Sequence, residues 1–183
     1  MLVVAAALEE LGELGGEVVG VGPIPAATRA AALLARIRPS AVVLIGTAGA
    51  YARGPAVGSV IAASRVGLTW GVAALGLGYV PRPPAPIPCD AGLLDRLDLP
   101  RHAVLTTGAI TTDPALALRF GDGWTVEHLE AFSVAHACQE AGVPFVAVLG
   151  IANVVGPDAH LEWLANRDAT QAATRAAIAG LCT

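Results

Sequence analysis

The sequence predicts an α/β protein in which helices cover the faces of one central sheet, giving three layers. Short apolar runs alternate with segments of helical spacing along the whole chain, which is the pattern of such a sheet. The length of 183 residues suits one domain with a sizeable core. We therefore expect a single domain over residues 1–183, with no internal repeat and no second domain.

The composition limits the possible partners. Hydrophobic residues make up 55% of the chain and charged residues 14%, so we expect apolar surface that is covered in a homo-oligomer. The net charge of −4 comes without a basic cluster, which argues against a nucleic-acid partner. Apolar runs too short for a bilayer and an N-terminus without a basic region argue against a membrane partner and predict a cytoplasmic protein.

The cysteines give no indication of a metal or a disulfide. Cys89, Cys138 and Cys182 are odd in number and lack the spacing of ligands. We interpret them as reduced, mostly buried thiols of a cytosolic protein. No His, Asp and Glu cluster has ligand spacing either, so we expect neither a metal nor another cofactor.

The first strand is predicted at Leu2–Ala7 and ends at the acidic residues Glu9 and Glu10. Such an acid can serve as a general base at a site, or it can lie in the first turn of a solvated helix, where the dipole favours acids. A Gly-rich loop, GVGPIPAA, then precedes a helix predicted at Ala26–Ile37. Loops of this kind can bind anions at a helix start, although a lone GxG is weak evidence.

A buried strand is predicted at Ala41–Ala50, leading into a Gly-rich turn. Thr47 supplies a hydroxyl there, and Gly49 lets the backbone approach a ligand closely. Another strand is predicted at Val57–Ser64. One or two strands and an irregular loop around Pro81–Pro88 follow.

Trp70 and Tyr79 lie in that poorly patterned segment and could stack on a base, although packing is the commoner role of a lone aromatic residue.

A short helix at Ala91–Leu97 precedes a strand predicted over residues 102–113, which contains Thr107 and Gly108. Asp113 before Pro114 predicts a helix N-cap followed by Pro at the first helical position.

The most informative stretch runs from residue 126 to residue 156. Glu130 begins a segment of helical spacing that Gly142 ends, and the apolar run PFVAVLGIA then predicts a strand buried on both faces. Asn153 follows at its carboxyl end, where open α/β sheets bind ligands. A final helix is predicted from about Asp158. His160 and Trp163 at its start could border the pocket, although surface or core packing is the commoner role.

This stretch resembles the C-terminal signature of the purine nucleoside phosphorylase and nucleosidase superfamily, and its tail NVVGPD is most similar to futalosine hydrolases. The resemblance implies a nucleoside phosphorylase-like fold with a mixed, partly barrel-like sheet. Glu130 matches the ribose-binding Glu, Leu129 the Met that packs under the sugar, and Asn153 the base-recognising Asp or Asn. Methylthioadenosine/adenosylhomocysteine nucleosidases belong to the same superfamily.

The resemblance extends to the other strand ends. It places Glu10 at the Glu that helps to activate water, Thr47 and Gly49 at the turn on the ribose or phosphate side, and Thr107 and Gly108 at the Ser-Gly before the loop that caps the purine. It also implies a dimer, because family members often complete the pocket with a neighbouring subunit.

The chain departs from the family pattern at several positions. His128 stands where an acid is usual and Ala152 where a Ser is usual; Ala109 and Ser59 each replace an Asp. Leu44 replaces the Arg with which bacterial phosphorylases hold phosphate. Since a phosphate dianion needs a fixed cation or several donors, this loss favours water as the nucleophile. Arg29 or Arg53 could still substitute for it.

The resemblance therefore implies a purine nucleosidase with Glu10 and Asn153 as catalytic groups. An amide at position 153 can accept from a protonated N7 and donate to O6, which predicts a 6-oxopurine base such as hypoxanthine. Two alternatives stay open on the same fold: a phosphorylase that uses inorganic phosphate, and a nucleoside-binding protein that has lost its activity. A dinucleotide-binding domain is less well supported, because no GxGxxG is present.

Overall fold

The computed structural model describes residues 1–181. Its strands are β1 Leu2–Ala5, β2 Glu17–Val18, β3 Val42–Ala50, β4 Val60–Leu68, β5 Ile87–Pro88, β6 Arg101–Thr106, β7 Val126–His128 and β8 Phe145–Val154. Its helices are α1 Leu8–Leu11, α2 Pro23–Ile37, α3 Gly71–Ala74, α4 Ala91–Leu94, α5 Pro114–Phe120, α6 Ala131–Ala141 and α7 Ala159–Ala177, and a short 3₁₀-helix follows at Ala179–Leu181.

Five of the strands close into a ring. Around it, β3 pairs parallel with β8, β8 antiparallel with β4, β4 parallel with β6, β6 parallel with β7, and β7 antiparallel with β3. The strands β1 and β2 continue the sheet from β3, and β5 continues it from β4. This mixed, partly barrel-like sheet with helices packed on it confirms the predicted fold class.

The strands β3 and β8 form the centre of the molecule. Nearly every residue of both is buried, which explains why their sequences are apolar without alternation. Helix α7 packs along both strands, while α6 packs against the sheet and against α2. The predicted strands at Ala41–Ala50 and 144–152 are therefore confirmed to within two residues at either end.

The helix ends predicted at Asp113 and Gly142 agree with the observed ones, whereas one end of α2 and one end of α4 each differ from the prediction by three residues. Helix α2 has a Pro at its first position, three residues before the predicted start. The Asp113 carboxylate accepts the Leu116 N–H at 2.7 Å, as an N-cap does. Gly142 ends α6 in the left-handed conformation. Helix α4 is shorter than predicted and ends at Leu94.

Three strand boundaries differ from the prediction. Strand β1 ends at Ala5. Strand β4 begins at Val60, because Ser59 lies in a turn in which its hydroxyl donates to Ala56 O at 2.6 Å, and it runs on to Leu68. Strand β6 ends at Thr106, since the Thr107 hydroxyl donates to Ala109 O at 2.9 Å and turns the chain. The strands predicted after residue 67 are replaced by the end of β4 and by α3.

The remaining predictions concern thiols and aromatic residues. Cys89 and Cys138 are buried free thiols, and burial raises the pKa of each to about 12. Cys182 lies outside the described residues. Tyr79 is 85% exposed and borders a shallow groove with Trp70, away from the main cavity. Within residues 1–181, no helix is both long enough and apolar enough to cross a bilayer.

Candidate active site

One cavity of about 590 Å³ lies where the ends of β3, β7 and β8 meet α1 and the start of α7. Six of the eight site residues predicted from the sequence line it: Glu10, Thr47, Gly49, Leu129, Glu130 and Asn153. Thr107 and Gly108 are not among the lining residues; Ile110, two positions further on, reaches the cavity instead.

Glu10 lies in α1 with both carboxylate oxygens held. Oε2 accepts the backbone N–H groups of Ala6 and Ala7 at 3.1 and 3.3 Å. Oε1 accepts the Thr47 N–H at 3.0 Å. Burial raises the pKa of Glu10, and the nearby His128 and the Thr47 N–H oppose that rise. A carboxylate with a raised pKa that faces a cavity has the properties of a general base.

His128 approaches Glu10 across Gly46. A Cβ built on Gly46 would lie 3.1 Å from Glu10 Oε1 and 3.2 Å from His128 Nε2. Both side chains therefore use the space that the missing side chain leaves. The His128 ring is fully buried, and burial lowers its pKa to about 4, so the ring is neutral at physiological pH.

The tautomer of His128 follows from the hydrogen bonds that its Nδ1 accepts. Nδ1 accepts two backbone N–H groups, those of Glu130 and Ala131, each at 3.1 Å. Nδ1 therefore carries a lone pair and the ring proton resides on Nε2, the nitrogen that approaches Gly46 on the side of Glu10. The 3.2 Å approach of Glu130 Oε2 to Nδ1 is consequently not an ion pair with a charged ring.

Glu130 lies at the N-cap of α6, but its side chain does not cap its own helix. Instead, Oε1 accepts the Gly22 N–H at 2.7 Å. Burial raises the pKa of Glu130 to about 7, against the opposing effect of the Gly22 N–H. A carboxylate held in this way can accept two hydroxyl groups of a sugar, because charge-assisted hydrogen bonds are short and orienting.

Asn153 is aimed by an irregularity in the sheet. Along the β3–β8 pairing, Ala48 faces Ile151 but Gly49 faces Asn153, so Ala152 is an extra residue on β8. A bulge of this kind reverses the side-chain alternation and re-aims the residue that follows. The Asn153 amide lies so close over Gly49 that a Cβ there would be 2.9 Å from Nδ2.

Helix α7 holds both sides of this bulge. Asn166 Nδ2 donates to Ala152 O at 3.0 Å, and Glu162 Oε2 accepts the Val154 N–H at 2.7 Å. The Asn153 amide itself donates one hydrogen to Val154 O at 3.0 Å. Its second N–H and its carbonyl oxygen have no hydrogen-bond partner among the described residues, which leaves one donor and one acceptor for a ligand.

The start of α7 forms a wall of the cavity, which is the less favoured of the two roles that the sequence suggested for His160 and Trp163. The rings of His160 and Trp163 are stacked with centroids 5.9 Å apart, and both line the cavity. The Arg167 guanidinium lies 5.1 Å from the Trp163 ring centroid, at the half-exposed rim. An amphipathic, Ala-rich helix gives no sequence signal for such a wall, because the stacking depends on how α7 packs on β8.

Glu127 is another acid of the cavity lining, and its role is structural. Its carboxylate accepts the Tyr51 hydroxyl at 2.9 Å, the Thr111 hydroxyl at 2.6 Å and the Thr111 N–H at 2.9 Å. These donors satisfy a buried charge and tie the loop after β6 to β7. Among residues 1–181, no group of three or more His, Cys, Asp or Glu is arranged to hold a metal ion.

The chain is similar to a known protein family and to proteins of known name. The family model described as "Phosphorylase superfamily" matches residues 11–182. The 5'-methylthioadenosine/S-adenosylhomocysteine nucleosidase of Anoxybacillus flavithermus is 29% identical over 161 residues, which cover 79% of this chain and 69% of that protein.

Two solved structures share the fold. The nucleosidase of the same name from Colwellia psychrerythraea, in complex with adenine, has a TM-score of 0.86 at 16% identity and covers 98% of this chain and 93% of its own. The futalosine hydrolase of Helicobacter pylori has a TM-score of 0.86 at 14% identity and covers 98% of this chain and 95% of its own. At these identities the likeness concerns the fold alone.

Proposed function

The chain belongs to the phosphorylase superfamily, and we propose that it is a purine nucleosidase that cleaves the N-ribosidic bond with water. The observation that carries this proposal is the convergence of Glu10, Glu130 and Asn153 on one cavity from distant parts of the chain. The curated relatives and structural neighbours that are named as nucleosidases or futalosine hydrolase support the same reaction class.

Each of the three residues matches one requirement of the reaction. Bond cleavage builds positive charge on the ribose and negative charge on the departing base. Glu130 orients the ribose through its hydroxyl groups, Asn153 stabilises the leaving base, and Glu10 accepts a proton from the attacking water. The bond from C1′ to N9 breaks while a bond from C1′ to the water oxygen forms.

The amide of Asn153 determines where N7 of the departing base obtains its proton. An amide cannot protonate N7, so N7 takes its proton from solvent and the Asn153 carbonyl oxygen accepts the resulting N7–H. Glu10 returns the proton of the water to solvent after the ribose leaves. The base departs as a neutral purine.

Asn153 also supports a 6-oxopurine such as hypoxanthine as the base, as in futalosine. The free N–H of its amide donates to O6, while an adenine would present a second donor there. A donor left without a partner costs about 1–3 kcal/mol, which corresponds to roughly tenfold or more in preference. Because relatives are named for methylthioadenosine, which carries adenine, adenine nucleosides must be tested beside those of hypoxanthine.

We prefer water over phosphate as the nucleophile because the described lining residues provide no cation away from the cavity rim. Arg167 is the only Arg or Lys among the described lining residues, and it lies at the rim beside Asp168, with Nε 3.3 Å from Oδ1. Leu44 is fully buried, and Arg29 and Arg53 are exposed away from the lining. Inorganic phosphate would meet mainly carboxylates.

A homodimer is part of the proposal. The large apolar side chains of Val21 and Ile110 line the cavity yet are 63% and 54% exposed, and Leu8 and Leu161 lie exposed next to lining residues. Apolar surface around a cavity mouth favours coverage by a second copy. Light scattering of the eluted protein should give twice the chain mass, and a monomer mass would remove the dimer from the account.

The function is tested by chromatography of the free base released from inosine, futalosine, adenosine and methylthioadenosine, with and without phosphate. The proposal requires release of hypoxanthine in the absence of phosphate, and loss of that release in Glu130→Ala. Release that depends strictly on phosphate would identify a phosphorylase. Tight nucleoside binding without release would identify an inactive binding protein, and either result would overturn the proposal.

A further inference from the structure

Trp163 makes one polar contact that its aromatic packing does not require. Its indole N–H donates to Thr47 Oγ1 at 2.9 Å and so joins the start of α7 to β3. An indole N–H can only donate, so the Thr47 oxygen must use a lone pair for this contact. The ring itself is fixed by its stacking on His160 and by the guanidinium of Arg167.

The hydroxyl of Thr47 has a single hydrogen, and a second partner lies within its reach. Glu10 Oε1 is 3.4 Å from Thr47 Oγ1, and the same carboxylate oxygen accepts the Thr47 N–H at 3.0 Å. With one lone pair taken by the indole, the hydroxyl hydrogen is directed toward Glu10. The three residues thus form a directed chain from Trp163 through Thr47 to Glu10.

We propose that Trp163 is a positioning residue that fixes the Thr47 hydroxyl as a donor to Glu10. This donor keeps the Glu10 carboxylate ionised and oriented so that it can accept a proton. The inference rests on the proposed function only in naming Glu10 as the general base. The contacts themselves are independent of any substrate.

Other titratable groups also face Glu10 and influence its carboxylate independently of the Trp163–Thr47 contact. His128 and Glu130 approach it from β7 and the start of α6. Arg175 of α7 donates to Glu10 O at 3.3 Å, so it binds the backbone and not the carboxylate. None of these groups contacts the Thr47 hydroxyl in the described part of the chain, so the Trp163 contact can be removed without removing them.

The decisive variant is Trp163→Phe, which keeps one aromatic ring beside His160 and Arg167 but removes the N–H together with the second ring of the indole. We expect kcat to fall by roughly tenfold with little change in KM, and the acid limb of the kcat profile to move to higher pH, since the ionised form of Glu10 loses a donor. Thr47→Val should give the same shift. The double variant should add nothing further, because both changes break one chain.

Trp70→Phe is the matched control, since Trp70 borders a separate groove. It should leave both the rate and the pH profile unchanged. A fall in rate without a shift of the acid limb in Trp163→Phe, or fully additive effects of the two changes, would mean that Trp163 only packs, and would overturn the inference.

A second measurement needs no substrate. The chain has 3 Trp residues, so the Trp163 indole N–H resonance can be assigned by its loss in Trp163→Phe. Its chemical shift should titrate with a midpoint above 4.5, the usual pKa of a Glu, and that transition should disappear in Glu10→Gln. A resonance that does not respond to Glu10 overturns the inference, even in an active enzyme. A response in a protein without nucleosidase activity supports the inference and rejects the proposed function.

Discussion

The backbone N–H of Gly22 donates to Glu130 Oε1 at 2.7 Å and joins the start of α2 to the start of α6 across 108 residues. Gly22 has φ of 92°, a conformation that other residues rarely adopt. The Gly-rich loop before α2, which the sequence marks as a possible anion-binding loop, therefore binds a carboxylate of its own chain. This contact orients the acid that the proposed function assigns to the ribose.

Glu10→Gln should lower kcat by roughly a hundredfold or more, because an amide cannot accept a proton from water. Nucleoside binding, measured by calorimetry, should be retained, since the side chain keeps its size and its one remaining oxygen can still accept the N–H groups of Ala6 and Ala7. Glu13→Gln, an exposed change three residues away, is the matched control and should behave as the wild type. Equal rates in the two variants would remove Glu10 from the mechanism.

The pH dependence of kcat/KM should report Glu130. Its pKa of about 7 in the free protein means that the carboxyl group is protonated below that pH and loses an acceptor for the ribose. We expect kcat/KM to fall by about tenfold per unit as the pH drops below 7.

In Glu130→Gln the limb near pH 7 should disappear and KM should rise. Glu140→Gln, an exposed change at the end of the same helix, should keep the wild-type profile. A limb near pH 7 that survives in Glu130→Gln belongs to another group and contradicts the assignment.

Asn153→Asp should change the preferred base. A protonated Asp can donate to N7 and accept from a 6-amino group, so it matches adenine where the amide matches hypoxanthine. The ratio of kcat/KM for inosine over adenosine should fall by about tenfold or more. A ratio that stays constant while both rates drop would show that Asn153 holds the backbone at the end of β8 and does not read the base.

Gly49→Ala should impair the reaction without unfolding the protein. The added Cβ would lie 2.9 Å from both Asn153 Nδ2 and Val155 Cγ2, so the amide must move away from its place over the strand. We expect kcat/KM to fall by at least roughly tenfold. Gly78→Ala, whose Cβ would have only a contact of 4.0 Å with Val72, is the control. Wild-type kinetics in Gly49→Ala would show that the position of Asn153 is not critical.

The central strands and the ends of the helices could be predicted from the sequence because their signals are local. An uninterrupted apolar run such as β8 has few alternatives to a buried strand, and Asp113 before Pro114 or Gly142 after α6 mark helix ends by their own chemistry. The boundaries that differed, at Val60 and Thr106, depend on single hydroxyl groups that turn the chain.

The geometry of the site could be predicted only in part. Glu130 and Asn153 were found from their places at a helix start and a strand end, but the extra residue Ala152 that aims Asn153 is a property of the pairing of two strands. The contact of Trp163 with Thr47 and the approach of His128 to Glu10 are likewise long-range. They depend on packing between elements that the sequence places far apart, and no local pattern encodes them.

The most direct test of the account is to run the wild-type reaction with inosine in water enriched in the heavy isotope of oxygen and to weigh the released sugar by mass spectrometry. Attack by water predicts one heavy oxygen atom in each ribose, whether or not phosphate is present, when the sample is quenched before the free sugar exchanges with solvent. A sugar phosphate without the heavy atom would contradict the hydrolytic mechanism and the role of Glu10 in it.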